Sequence, residues 1–166
     1  MKPLSAAEIR SSIVNATAEE IARMPLPGLH ETIWDEREYL GWRDPQVTQR
    51  GYIVFWRGDT PLGMVLRAAT RGPGRSMSAF CSLCRTQQPA HQVSLFSVPK
   101  AGQAGRDGNT VGTYICSDLA CSTLIRILPP PSQMQPNPAA EMVVTRGAGL
   151  LARLEGFTNE VLKPAE

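Results

Sequence analysis

The sequence holds four cysteines, and they fall into two tight pairs, Cys81-x2-Cys84 and Cys116-x4-Cys121. Paired thiols at these spacings are what a tetrahedral zinc site needs. A gap of two residues lets a tight knuckle turn two sulfurs toward one point. A gap of four at the start of a helix does the same from the other side. No cysteine is left over to serve as a nucleophile. A catalytic zinc keeps one position open for water, whereas four thiolates close the site, so the pattern points to one structural Zn²⁺. The rival reading is two disulfides. Met1 to Ser5 leads straight into a polar helix pattern without the apolar core of a secretory leader, so the expected compartment is the cytoplasm, where thiols stay reduced.

Other reactive constellations are sparse. The two histidines, His30 and His91, are far apart. The acidic residues between 31 and 38 sit among aromatics, where solvated or capping carboxylates are the simpler reading than an acid/base pair. The glycines at 102, 105 and 108 are not followed by Gly-Lys-Ser/Thr, so they do not form a phosphate-binding loop. The chain is therefore expected not to be an enzyme. Arg67, Arg71, Arg75 and Arg85 form a loose basic set beside the first knuckle, either a solvated surface or a patch for RNA or an acidic protein face.

Composition bounds the rest. A chain of 166 residues with 42% apolar content is one globular unit. No apolar run approaches the roughly 18 residues of a membrane span. The formal charge of +2 falls to about zero once four thiolates and one Zn²⁺ are counted, which argues against extensive phosphate binding. Fourteen Gly and fourteen Pro mark a loop-rich chain in which metal supplements a small core.

The elements that must position the cysteines can be read along the chain. Ser5-x-x-Glu8 and Thr17-x-x-Glu20 open two short helices, the second stopped by Pro25 and Pro27. From Gly28 to Pro45 the pattern is irregular, with Trp34, Tyr39, Leu40 and Trp42 as core anchors. Tyr52–Trp56 and Leu62–Leu66 flank turn chemistry at 58–61 and read as a hairpin. A strand near Ser78 leads to the first knuckle, Val93–Val98 and Val111–Ile115 form a second hairpin, and Ser117 or Asp118 caps a helix carrying Cys121, Leu124, Ile125 and Leu128. Knuckle, hairpin and helix in that order describe a treble-clef zinc finger. The Pro99–Thr110 connection is glycine-rich and is expected to be mobile. Five prolines between 129 and 138 form an extended linker, and a C-terminal helix follows, weakened by Gly147, Gly149 and Gly156.

The run from Gly108 to Cys121, the first knuckle Phe80–Cys84, and the segments Leu40–Pro45 and Leu62–Arg67 together resemble the actinobacterial FBP-type (fibronectin-binding-protein C-terminal) treble-clef zinc-finger family, over about residues 3 to 160. In its zinc module that family is similar to FusB-type fusidic-acid-resistance proteins, which bind translation elongation factor G and release it from stalled ribosomal complexes. The resemblance implies that Cys81, Cys84, Cys116 and Cys121 are the zinc ligands, and that elongation factor G, on the ribosome, is the partner. FusB-type proteins carry a longer N-terminal helical bundle, for which this chain has no room.

The expected architecture is α+β: N-terminal helices, an antiparallel sheet with a treble-clef zinc finger, and a C-terminal helix. Its segments are 1–50 (helical and irregular), 51–128 (sheet and finger), 129–138 (linker) and 139–166 (helix), forming one compact unit. The expected role is that of a cytoplasmic, monomeric binding protein with no membrane contact. The alternative is an RNA- or ribosome-binding zinc protein, marked by steep loss of affinity with salt. The expected binding face lies on the finger, with Arg85, Arg106, Asn109 and Thr113 as polar contacts and Leu83 as an exposed apolar anchor.

Overall fold

The computed structural model describes residues 1–70, 78–130 and 139–164. Two short helices come first, α1 (Ala6–Ser12) and α2 (Ala18–Arg23). Each opens on a complete capping box: Ser5 with Glu8, and Thr17 with Glu20. The reciprocal bonds satisfy amides that have no partner inside so short a helix.

A five-stranded antiparallel sheet has the order β1-β2-β3-β6-β7, with β1 (Leu40–Arg43), β2 (Arg50–Arg57), β3 (Thr60–Ala68), β6 (Val93–Pro99) and β7 (Thr110–Cys116). Between β3 and β6 in sequence lies a small hairpin of β4 (Ser78–Phe80) and β5 (Gln87–Pro89). The β2–β3 hairpin turns at Gly58, whose φ of 61° suits the first central position of a two-residue turn. Strand β1 falls in the stretch expected to be irregular. It is a four-residue edge strand containing Gly41, too short for a period-two pattern to show.

Alternation along β2 and β3 builds a core on each face of the sheet. Ile53, Phe55, Met64 and Leu66 point to one side, where they meet the four cysteines, Leu83, Phe96, Ile115 and the last helix. Tyr52, Val54 and Val65 point to the other, where they meet Ile9, Ile13, Met24, Leu40 and Trp42. The expected anchors Tyr39, Leu40 and Trp42 are buried and Trp34 is partly so. Strands β3 and β6 pair only at Arg67–Ser97 and Ala68–Phe96. Beyond that point Asn15 bridges the two. Its amide donates to the carbonyls of Val65 and Pro99 at 3.0 Å, and its oxygen accepts from Val65 N–H at 2.8 Å.

The C-terminal helix α5 (Ala139–Leu162) runs 24 residues despite its glycines. Gly147 is buried against Glu38, and an added Cβ there would lie 3.1 Å from its carboxylate. The Pro99–Thr110 connection differs from expectation. It contains a short helix, α3 (Gly102–Arg106), with Ala104 buried and Ala101 N–H bound to Val161 O at 2.9 Å, so it is tied to the end of α5. The helix after the second cysteine pair is also shorter than expected, α4 spanning only Cys121–Leu124. Past it the chain tightens into i→i−3 bonds at Arg126 and Ile127, and Arg146 takes the carbonyls of Ile125 and Ile127 at 3.2 and 3.0 Å. A side chain from α5 thus does what further helical turns would do. The linker expected over 129–138 lies outside the described residues from 131 onward, as do Arg71 and Arg75 of the basic set. Among the described residues no helix is long and apolar enough to cross a membrane.

Candidate metal centre

The first cysteine pair lies in the turn joining β4 to β5. Cys81 N–H donates to Thr86 O and Arg85 N–H returns to Cys81 O, at 3.2 and 3.0 Å, closing the knuckle. Arg85 has φ 59°, the left-handed conformation a chain needs to reverse this tightly and one that a non-glycine residue rarely takes. Ser82 N–H binds Tyr114 O at 2.8 Å and fastens the knuckle to β7.

The second pair begins where β7 ends. Cys116 is its last residue, and Leu119, at φ 60°, turns the chain so that α4 starts on Cys121. The expected capping by Ser117 or Asp118 is not formed. Asp118 accepts instead from Ala120 N–H at 3.0 Å, a local turn, and Ser117 Oγ lies 2.7 Å from Ser94 Oγ. The loop is pressed against β1. Tyr39 donates its hydroxyl to Leu119 O at 2.8 Å, and Gly41 leaves the room, since an added Cβ there would sit 2.6 Å from that same carbonyl.

These two turns bring all four buried sulfurs together, within 4.8 Å of one another. Cys81 and Cys121 are 3.6 Å apart, Cys84 and Cys116 3.6 Å, and Cys116 and Cys121 3.4 Å. A disulfide would need about 2.05 Å. Four sulfurs each about 2.3 Å from a central zinc would be separated by about 3.8 Å. The donor set is therefore close to what a tetrahedral zinc requires, and it contains no fifth ligand or histidine. His30 and His91 are both exposed, outside the cluster.

The electrostatics of the metal-free set agree. Hydrogen bonds from Cys116 and then Cys121 hold Cys81 down to about 7 and Cys84 lower still, while Cys121, donating first to Cys116, is held well up. Without a metal the four sulfurs must share protons among themselves; a dication between them removes that need. Two further donors aim at sulfur. Cys84 N–H lies 3.5 Å from Cys81 Sγ, and the Gln88 side-chain amide lies 3.2 Å from Cys116 Sγ. Gln88 is 7% exposed. Burial, and then the Cys121 sulfur, push the Tyr39 hydroxyl well above its ordinary value, so it stays a neutral donor beside the thiolates.

The expected contact residues are dispersed. Arg85, Arg106 and Asn109 are exposed and Thr113 is half-buried. Leu83 does not hold as an exposed anchor: it is 2% exposed, in the core under α5, and its carbonyl accepts from Arg153 Nε at 2.6 Å. Nor does the 99–110 loop sit beside the metal site. Val93 pairs with Cys116 at one end of the β6–β7 hairpin and Pro99 with Thr110 at the other, about 20 Å apart at ~3.3 Å per residue. Arg106 and Asn109 are at the far end from the zinc site, and Arg85 is at the near end. Gln88 and Arg153 escaped the sequence reading.

Comparison with known proteins agrees with this geometry. Residues 8–161 match the model of the FBP C-terminal treble-clef zinc-finger family. No curated protein matches the chain closely enough in sequence to count as a relative. In three dimensions it is similar to the structure of the fusidic acid resistance protein FusC, with a TM-score of 0.55 at 20% identity. The likeness covers 74% of this chain and 52% of that one, so the present chain spans about half the length of FusC and the two share a fold. With the two turns, four converging sulfurs and a match over nearly its whole length, the chain belongs to the FBP C-terminal treble-clef zinc-finger family, and its cofactor is a single zinc ion.

Proposed function

We propose that this chain is a non-enzymatic binding protein that engages translation elongation factor G and promotes its release from the ribosome. In this reading Cys81, Cys84, Cys116 and Cys121 are the four zinc ligands. The observation that carries it is the closed, buried four-sulfur centre at the heart of an FBP-type finger. The fold shared with a fusidic acid resistance protein gives the same direction. Zinc joins the knuckle to β7 and α4, so the surface around them is rigid before a partner arrives, and less entropy is lost on binding. Release of the factor would come from unequal affinity for its two states, not from chemistry.

Arg85, Arg106, Asn109 and Thr113 remain the proposed polar contacts, now dispersed: Arg85 in the knuckle, Thr113 midway along β7, and Arg106 and Asn109 at the far end of the β6–β7 hairpin. The test is a pull-down from native cell extract with the zinc-loaded chain as bait and mass spectrometry of what it retains. The expected result is enrichment of elongation factor G, lost when Cys116 is changed to Ser. Retention of other proteins alone, or of ribosomal RNA with steep sensitivity to salt, would overturn the reading.

A further inference from the structure

Beside the metal centre, between the knuckle and α5, runs a groove of about 720 Å³. Three guanidinium groups line it: Arg85 from the knuckle, and Arg146 and Arg153 from one side of α5. Among the described residues lining it there is no Asp or Glu, and none of the three arginines forms an ion pair there. Arg153 is held by Leu83 O and Arg146 by the carbonyls of Ile125 and Ile127. Neutral acceptors fix their positions; no carboxylate pairs with them, and the negative charge beside them is that of the four-thiolate centre, whose Cys84 also lines the groove. Two large apolar side chains also line the groove, Phe80 at 53% and Ile127 at 64% exposure. Exposed aromatic and aliphatic side chains beside fixed, unpaired cations mark a binding site more than a solvated face.

We propose that this groove takes an acidic protein segment that carries apolar side chains between its carboxylates, seating them against Phe80 and Ile127 while Arg85, Arg146 and Arg153 receive the charge. Planar guanidinium groups suit carboxylates, which they can grip with two parallel bonds. Residues 131–138, which connect the end of the groove to α5, contain no carboxylate, so this chain does not supply the complement from that segment. Nucleic acid is the poorer match. A phosphate backbone calls for a longer track of cations, and among the described residues three line this groove. The inference rests on the binding role proposed above and adds to it the surface and the partner's chemistry.

The experiment measures fluorescence anisotropy of a labelled short peptide of Glu and Asp with two Leu spaced four apart, titrated with the zinc-loaded full chain. Elongation factor G is titrated in parallel. Two variants are chosen to spare the fold. Arg85→Gly removes a charge at a position where glycine suits the backbone, and Thr145→Glu adds an opposing charge on the exposed rim of α5. The expected result is saturable binding of the peptide, weakened about tenfold or more by either variant and absent for the peptide with Gln in place of every acid. A single-stranded RNA oligonucleotide should not compete. No peptide binding, equal binding by the variants, or displacement by the RNA would overturn the groove. The factor reports separately. If it binds the native chain and both variants alike, the groove is wrong and the partner stands; if the peptide obeys the groove and the factor does not bind, the partner is wrong and the groove stands.

Discussion

Gln88 shows how much of a metal centre can sit in a residue that carries no ligand atom. Its amide at 3.2 Å from Cys116 Sγ supplies a hydrogen bond to a sulfur that shares an excess negative charge with three others. Outer partners of this kind tune affinity by about 10- to 100-fold when removed. Gln88→Leu should therefore leave the chain folded with zinc bound, but lower zinc affinity within that range in competition with a chelator. An unchanged affinity would mean the contact is incidental. In the sequence Gln88 is one of two adjacent glutamines before Pro89, and nothing distinguishes it from Gln87 until β5 is known to turn one inward and the other outward. Leu83 was misread for a similar reason. A leucine between two ligands at a knuckle reads as exposed until a helix from the far end of the chain is laid over it. The cysteines needed no such context, because their spacing alone encodes where their sulfurs meet.

At the scale of elements, length and periodicity decided what could be seen. The capping boxes of α1 and α2, the β2–β3 hairpin and the β6–β7 hairpin were all legible, since each is specified by neighbours in sequence. Elements whose form depends on a distant side chain were not. The turn following α4 is held by Arg126, which grips the Glu38 carboxylate with both terminal nitrogens at 2.8 and 2.9 Å and also reaches Ser122 O. Glu38 N–H in turn binds Ser122 Oγ. This pair links the segment before β1 to the end of the finger, 88 residues away. Its side chains are 23% and 12% exposed, so solvent screens it little, and removing one partner strands a charge. Arg126→Met should cost on the order of 2 kcal/mol, less than a fully buried pair would. That corresponds to a melting temperature lowered by about 4–8 °C, with zinc content unchanged. A loss of zinc in the same variant would show that the pair is part of the metal centre and not a clamp beside it. The C-terminal helix was legible although its glycines weakened the pattern; what the sequence hid is that Gly147 packs against the Glu38 carboxylate, which an added Cβ would approach to 3.1 Å.

At the scale of the molecule, the sheet divides two kinds of core. One face holds the cysteines, the knuckle and α5; the other holds α1, α2 and the tryptophans, with no metal ligand among its residues. Metal-binding energy is folding energy in a module of this kind, so its removal should act on one side first. Chelation followed by hydrogen exchange should strip protection from β4, β5, β7 and α4 before β1 and β2. Simultaneous loss everywhere would mean that the sheet has no stability without its finger. That the chain is α+β with a treble clef was readable from spacing and pattern. The division into two faces was not, because it depends on which side of β2 each element returns to. The central claim is that the zinc-built finger is a platform for elongation factor G. Isothermal titration of the zinc-loaded chain into purified elongation factor G tests it most directly, with the Cys116→Ser variant as the control. The account predicts saturable one-to-one binding that survives moderate salt and disappears in the variant. Absence of binding, or binding of the same strength by the variant, would contradict it.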